Sequence, residues 1–194
     1  VFAKAFAYLA TKLLEVNVRI LVDDSSFALI IPIYKDLDLE ELVNMLDSNN
    51  VRDIVSKAVM NSQLIWRIFR HVANRSFMIL SYYKGKKTSL RRQQVNSEII
   101  FSVVRNIADF PLIEEAIREI IEDKMDVIRA EYVLRDIGSG SRRWIILREY
   151  DMPSPFAHGI LLRGMQDAVL MEDRVKILQY LYDQIRRRFE GVKI

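Results

Sequence analysis

Residues 61–96 read NSQLIWRIFRHVANRSFMILSYYKGKKTSLRRQQVN, and the periodicities of this stretch set the architecture on either side of it. From Ser62, placed to cap a helix, through about Leu80, the residues fall on a 3.6-residue wheel with Ile65, Ile68, Phe69, Val72, Ser76 and Ile79 on one side. Arg67, Arg70, His71 and Asn74 fall on the other. Arg75 sits on the edge of the apolar stripe, where a charge needs either an acid from elsewhere in the fold or a phosphate. Trp66 and Phe77 border the opposite edge beside Arg70. From Ser81 to Leu90, Gly85 among three lysines marks an exposed loop. A further helix is predicted from about Arg92 to Ile107, with Val95, Ile99, Val103 and Ile107 on its inner face.

Charge singles out the same stretch. Between Ile54 and Ser97 there is no Asp or Glu, yet Lys57, Arg67, Arg70, Arg75, Lys84, Lys86, Lys87, Arg91 and Arg92 all fall there. The 26 acids lie elsewhere, so a net charge of +3 conceals a polarised molecule. Charged residues on the outer side of an amphipathic helix are commonly just solvated, but chance mixing would have put several acids in so long a window. A concentrated positive field interleaved with Trp66, Phe77, Tyr82 and Tyr83 suits a ligand that is polyanionic and able to stack, which is a description of nucleic acid. Trp66, Tyr82 and Tyr83 are the candidate stacking platforms; a large aromatic at a wheel border is equally often packed under a neighbouring element.

On the N-terminal side, Phe2, Phe6, Leu9, Leu13 and Leu14 give a helix over residues 1 to about 14 with one buried stripe. Residues 17–22 and 27–33 form an antiparallel hairpin around Asp23, Asp24, Ser25 and Ser26, with Pro32 closing it. Asp38 and Glu41 stand in capping-box spacing for a short helix through Leu46, and another spans Val51 to Met60. On the C-terminal side, Asp109 and Pro111 open a helix with Glu114 and Glu115 near its positive end, and Asp126 caps the next, which stops at the turn Gly138–Ser141. Arg143 to Tyr150 contains Trp144, Ile145, Ile146 and Leu147 in a row and is predicted to be a strand, buried on both faces, that joins the hairpin. Helices from about Ala157 to Leu170 and from Asp173 to Phe189 come next, the last burying Leu178, Leu181, Ile185 and Phe189. The expectation is one α+β domain over residues 1–194, predominantly helical with about eight helices, and a small antiparallel sheet made of the hairpin and a late strand.

Chemistry is sparse. With no cysteine there is no disulfide, no thiolate nucleophile and no cysteine zinc site. His71 and His158 are the only histidines and neither has metal-ligand spacing. Gly85-Lys-Lys-Thr88 only echoes a phosphate loop, lacking the upstream glycine and the preceding strand. Asp151, Ser154 and His158 are close in sequence, but nothing resembles a nucleophile elbow. The run Arg186–Arg188 lies in the last turn of a helix, where the dipole favours cations. No apolar run approaches the roughly 18 residues that span a bilayer, and the N-terminal residues lack the basic region, apolar run and cleavage site of a signal peptide, so a soluble, cytoplasmic protein is expected. Residues 1–11 read as the middle of a helix, as in a fragment of a longer chain.

The segments LIWRIFRHVANRS (64–76), YYKGKKTSLRRQQVNS (82–97), DFPLIEEAIREIIEDKMDV (109–127) and EYDMPSPFAHGIL (149–161) occur in an order that resembles the helicase-associated C-terminal region of the large helicase-related family, Lhr, in its archaeal form. The hairpin phrase DDSSFALIIP is similar as well. The resemblance implies a piece of an ATP-dependent superfamily 2 helicase, in which two RecA-like motor domains and a winged helix precede this region and the region helps guide single-stranded DNA or RNA. It matches Arg67, Arg70, His71 and Arg75 of the helix and Lys84, Lys86, Lys87, Arg91, Arg92 and Gln93 of the loop to family positions. Asn74 departs from a position that is often basic. ATP and Mg would belong to the motor, whose motifs are absent here, and no catalytic residue, metal or cofactor is assigned to the chain itself. The partners implied are single-stranded or partly duplex DNA or RNA and the motor domains of the same polypeptide. A docking module, with the basic face packed on the motor or on an acidic protein, is the alternative, and a cryptic nuclease or glycosylase comes third.

Overall fold

In the computed structural model, which describes residues 1–31, 37–147 and 155–164 together with 179, 182, 183, 186 and 187, the chain opens with α1 (Phe2–Leu14). Ala3, Ala5, Ala7 and Ala10 are buried along with Phe6, Leu9 and Leu14, so small side chains let neighbours close around most of the helix rather than along one stripe. The strands β1 (Arg19–Val22) and β2 (Phe27–Ile30) pair antiparallel, with Arg19 opposite Ile30 and Val22 opposite Phe27. The Asp23 N–H donates to the Ser26 carbonyl at 2.8 Å across the turn. Phe27 stacks on Phe6 with ring centroids 6.0 Å apart, which lays the hairpin on α1. The expected closing residue, Pro32, lies outside the described residues.

Asp38 caps α2 (Leu39–Asn44), its carboxylate accepting from the Glu40 and Glu41 amides at 2.8 and 3.2 Å. Next come α3 (Val51–Met60), which packs on α1, and α4 (Gln63–Arg75). The hairpin strands β3 (Tyr82–Tyr83) and β4 (Lys86–Lys87) lead into α5 (Leu90–Val104) and α6 (Pro111–Arg118), and both of these helices pack on α4. A π-helical turn, Glu119–Lys124, then precedes α7 (Val127–Gly138), and a 3₁₀ turn, Pro155–Ala157, precedes α8 (His158–Gly164), which packs against β1. Asp126 caps α7 as expected, accepting from the Arg129 amide.

Among the described residues, Phe69, Phe101, Ile65, Ile120, Val51, Val55, Val59 and Val127 are the largest fully buried side chains, and they belong to one apolar cluster reaching from α1 through α3 and α4 to α5, the π turn and α7. Ions brace its outside. Arg52 on α3 reaches Glu122 of the π turn at 2.5 Å and Glu131 of α7 at 3.0 Å. Arg118 pairs with Glu115 at 2.7 Å and with Glu122 at 3.5 Å. The α+β, predominantly helical architecture with a small antiparallel sheet is as expected.

Three local expectations are corrected. Residues 143–147 form no ladder with the hairpin and Ile145 and Leu147 are exposed, while 148–150 lie outside the described residues. Trp144 instead sets its ring edge-on to Phe2 and Phe6, at 6.3 and 5.9 Å. Among the described residues, the apolar run thus meets α1 through this ring and not through a backbone ladder. The helix α4 stops at Arg75, short of Leu80, because Phe77 turns left-handed (φ 59°) and the Ile79 N–H returns to the Ala73 carbonyl at 3.0 Å. Ile79 is still buried, by the turn instead of the helix. Finally, α5 presents the opposite face: Gln93, Ser97, Phe101 and Val104 are buried, while Val95, Ile99, Val103 and Ile107 are exposed. Gln179, Tyr182, Asp183, Arg186 and Arg187 are exposed and all helical, which bears out a late helix there. Leu178, Leu181, Ile185, Arg188 and Phe189, with Asp151 and Ser154, lie outside the described residues.

Candidate nucleic-acid interface

Helix α4 is held by Ile65, Ile68, Phe69, Val72 and Ala73, which face the core and leave one long face outward. Ser62 stands at its N-terminus in extended conformation, but its hydroxyl donates back to the Val59 carbonyl at 2.7 Å, closing α3 rather than capping α4. On the outer face Arg67 and His71 are exposed and Arg70 is half-buried. Trp66 lies against Phe101 of α5, ring centroids 4.5 Å apart, and Phe101 meets Phe69 edge-on at 5.2 Å. Packing therefore holds Trp66 from below, in a cleft of about 600 Å³ between α4 and α5 that is walled by Gln63, Arg67, Arg70, Gln94, Ser97 and Glu98.

Arg67 also lines a second cleft, on the other flank of α4, with His71, Asn74, Arg75, Glu119 and Lys124. Here Arg75 meets its partner: Glu119, from the π turn, forms an ion pair with it. The edge position on the helical wheel is thus answered by an acid. Lys124 comes from the same π turn and adds a cation that the sequence stretch 54–97 does not contain. Only the fold reveals it, since Glu119, Glu122 and Asp123 surround it in sequence and mask its charge in any window average.

Beyond α4 the expected loop is a two-residue hairpin. Tyr82 pairs with Lys87 and Tyr83 with Lys86, and the turn residues Lys84 (φ 49°) and Gly85 (φ 75°) are both left-handed, the geometry that matches the strand twist. Lys84, Lys86, Lys87 and Tyr82 are exposed; the side chain of Tyr83 lies outside the described set. The hairpin leads through Ser89, which caps α5, to Arg91 and Arg92, both exposed in the first turn. Cations there oppose the helix dipole, so the positive end of α5 and the two guanidinium groups add their fields towards an anion.

Gln93 is placed differently from its neighbours. It is buried, donates from Nε2 to the Thr88 carbonyl at 2.9 Å and accepts from Asn74 Nδ2 at 3.3 Å. It fixes α5 on α4 and is turned away from any ligand on the surface. Arg75 is likewise committed to Glu119. The remaining candidates share a property: among the described residues, Arg67, Arg70, His71, Lys86, Lys87, Arg91 and Arg92 form no salt bridge. Lys57, the other basic residue of the window on a regular helix, is neutralised by Asp53 at 2.5 Å, and that pair raises its pKa. The structure thus sorts the basic window into anchors and unpaired cations, and the unpaired ones lie along α4, the β3–β4 hairpin and the start of α5. His158 sits at the start of α8, with a buried Nε2 that has no hydrogen-bond partner among the described residues. It is not near this surface in sequence, and it adds no catalytic constellation among the described residues.

Residues 1–157 match the model of the family described as DEAD/H associated. The chain is 41% identical over 196 residues to the ATP-dependent helicase Lhr-Core of Saccharolobus solfataricus, a match covering 99% of this chain and 22% of that protein. It is also 41% identical over 184 residues to ATP-dependent helicase Lhr-Core protein 2 of Thermococcus barophilus, covering 94% of this chain and 21% of that one. Among solved structures, the Mycobacterium smegmatis helicase Lhr, bound to ssDNA and AMP-PNP, shares the fold with a TM-score of 0.65 at 24% identity, over 82% of this chain and 20% of that one. The chain spans about a fifth of the length of these relatives. With a family match over most of its length and archaeal relatives of this identity, the chain belongs to the DEAD/H associated family found in Lhr-Core helicases.

Proposed function

We propose that this chain is the nucleic-acid-binding accessory region of a longer ATP-dependent superfamily 2 helicase, and that α4, the β3–β4 hairpin and the first turn of α5 grip the phosphates of the tracking single strand. The observation that carries the reading is the set of cations without acid partners on these three elements, in a window of the chain that contains no acid. Arg67, Arg70, Lys86, Lys87 and Arg91 supply sequence-independent phosphate contacts. Arg67 stands between the two clefts flanking α4, so a strand crossing there runs from the Trp66 and Arg70 side towards His71 and Lys124. Trp66, held on Phe101, offers a rigid platform for a base, and Tyr82 an exposed one at the hairpin. Hydrolysis of ATP, with its Mg, belongs to motor domains in the rest of the polypeptide. The ssDNA in the mycobacterial relative is consistent with a nucleic-acid partner.

Titrating the chain against single-stranded oligonucleotides of increasing length, at several salt concentrations and with tryptophan emission recorded, tests this directly. Binding should strengthen with length and fall steeply with salt. Replacing Arg67, Arg70, Lys86 and Lys87 with Ala should weaken it equally for all sequences and flatten the salt slope by roughly 0.7 per lost phosphate contact. Lys57→Ala, which removes a neutralised cation on α3, should leave the affinity unchanged. If the quadruple variant binds as well as the wild type, the basic face serves to dock on an acidic protein surface instead.

A further inference from the structure

The helix α5 is amphipathic in an inverted sense. Its buried side carries Gln93 and Ser97 beside Phe101 and Val104, whereas Val95, Ile99 and Val103, at successive helical turns, are 46%, 59% and 62% exposed. Residues two apart on a helix are about 200° apart, so the apolar stripe points almost directly away from the core. Below it Met78 and Leu80, from the turn after α4, extend the apolar surface into an open groove of about 440 Å³ shared with Ile99 and Arg92. A row of branched aliphatic side chains continuous with a groove is a surface shaped to be covered.

We infer that this outward face of α5, with the Met78–Leu80 groove, is the docking surface for an apolar, acid-bearing part of the longer polypeptide that carries this region. The inference rests on the reading that the chain works within a longer helicase, and three observations support the choice of occupant. Aliphatic side chains provide neither stacking faces nor donors, so nucleic acid is a poor match, and the unpaired cations of the strand-binding face lie mostly on α4 and the hairpin. Arg92 rims the groove without an acid partner among the described residues, and an occupant that buries it must bring a carboxylate. A second copy of α5 brings none to this face, because its one acid, Glu98, lines the cleft towards α4. The relatives carry this region as about a fifth of a single chain, so a covalently tethered partner is present at high effective concentration.

The test is a photoreactive benzoylphenylalanine in place of Ile99 or Val103 in the full-length polypeptide, with cross-links mapped by mass spectrometry. Cross-links within one molecule, to segments outside these 194 residues, are expected. Cross-links between two copies, cross-links confined to residues 1–194, or none at all would overturn the proposal. In parallel, the double variant Ile99→Glu with Val103→Glu is expected to keep the melting temperature of the 194-residue chain and its oligonucleotide affinity within about twofold, as for other surface substitutions. The same variant in the full-length protein should lower strand-stimulated ATP hydrolysis by roughly tenfold, the scale of an ordinary coupling between sites. Loss of cooperative unfolding in the short chain would place this face in its own core and reject the inference. Because cross-linking and oligonucleotide affinity are separate readouts, a chain that cross-links as expected but fails to bind a strand would sink the strand-binding reading alone.

Discussion

Phe101 ties the cleft between α4 and α5 to the core. It is fully buried and touches both Phe69, within the core, and Trp66, on the floor of the cleft. Phe101→Ala should destabilise the chain by about 3–5 kcal/mol and, in what remains folded, shift Trp66 emission to the red; denaturant curves read by fluorescence check both. Gly85 is a different kind of constraint. An added methyl group would meet nothing within 4 Å, so Gly85→Ala is opposed only by its left-handed backbone (φ +75°) and should cost roughly 1 kcal/mol in a thermal melt. Some residues could be read from sequence alone. Arg75 on the edge of an apolar stripe required a counter-charge, and Glu119 supplies it. Others could not: Gln93 looks like a surface amide until Asn74, distant in sequence, and the Thr88 carbonyl satisfy it.

At the level of elements, the π turn is where α3, α6 and α7 are bolted together, and the bolts are ionic. The Glu122 carboxyl is held below its ordinary value of 4.5, first by the hydrogen bond from Arg52 and then by the charges of Arg52 and Arg118; Glu115 is lowered in the same direction by Arg118. A carboxylate with a depressed folded-state pKa binds protons more readily when unfolded. Its stabilisation is therefore complete above pH 4.5 and is lost as pH falls through the folded value. Urea midpoints measured between about pH 6 and pH 3 should fall for the wild type, and Glu122→Gln should flatten part of that fall. Asp126→Ala should cost the chain about 1 kcal/mol through the lost cap of α7, read as a lower melting temperature by circular dichroism. Capping and periodicity made α1, α2, α3 and α7 legible to within a residue or two, because local chemistry decides them. The face of α5 was not legible in that way: its apolar period was read correctly, but a buried amide seam, not the stripe, determines which side is turned inward.

For the whole molecule, the acid-free stretch 54–97 was the most legible feature, although the fold brings Glu98 and Glu119 in beside its cations. The β-structure was less so. A short apolar run such as Trp144–Leu147 has no periodicity to distinguish a paired strand from an extended segment, and one aromatic side chain lodged against Phe2 and Phe6 is enough to place it. The setting of α5 also bears on the chain as a material. The hydrogen bonds from Gln93 to Thr88 and from Asn74 to Gln93 stop the helix from rolling its aliphatic side inward, so this surface stays in water whenever the chain is alone. The consequence appears in solubility rather than in melting temperature. Concentrated solutions of the isolated chain should scatter light and self-associate reversibly, and Val103→Lys should raise the saturation concentration while leaving the thermal transition where it was.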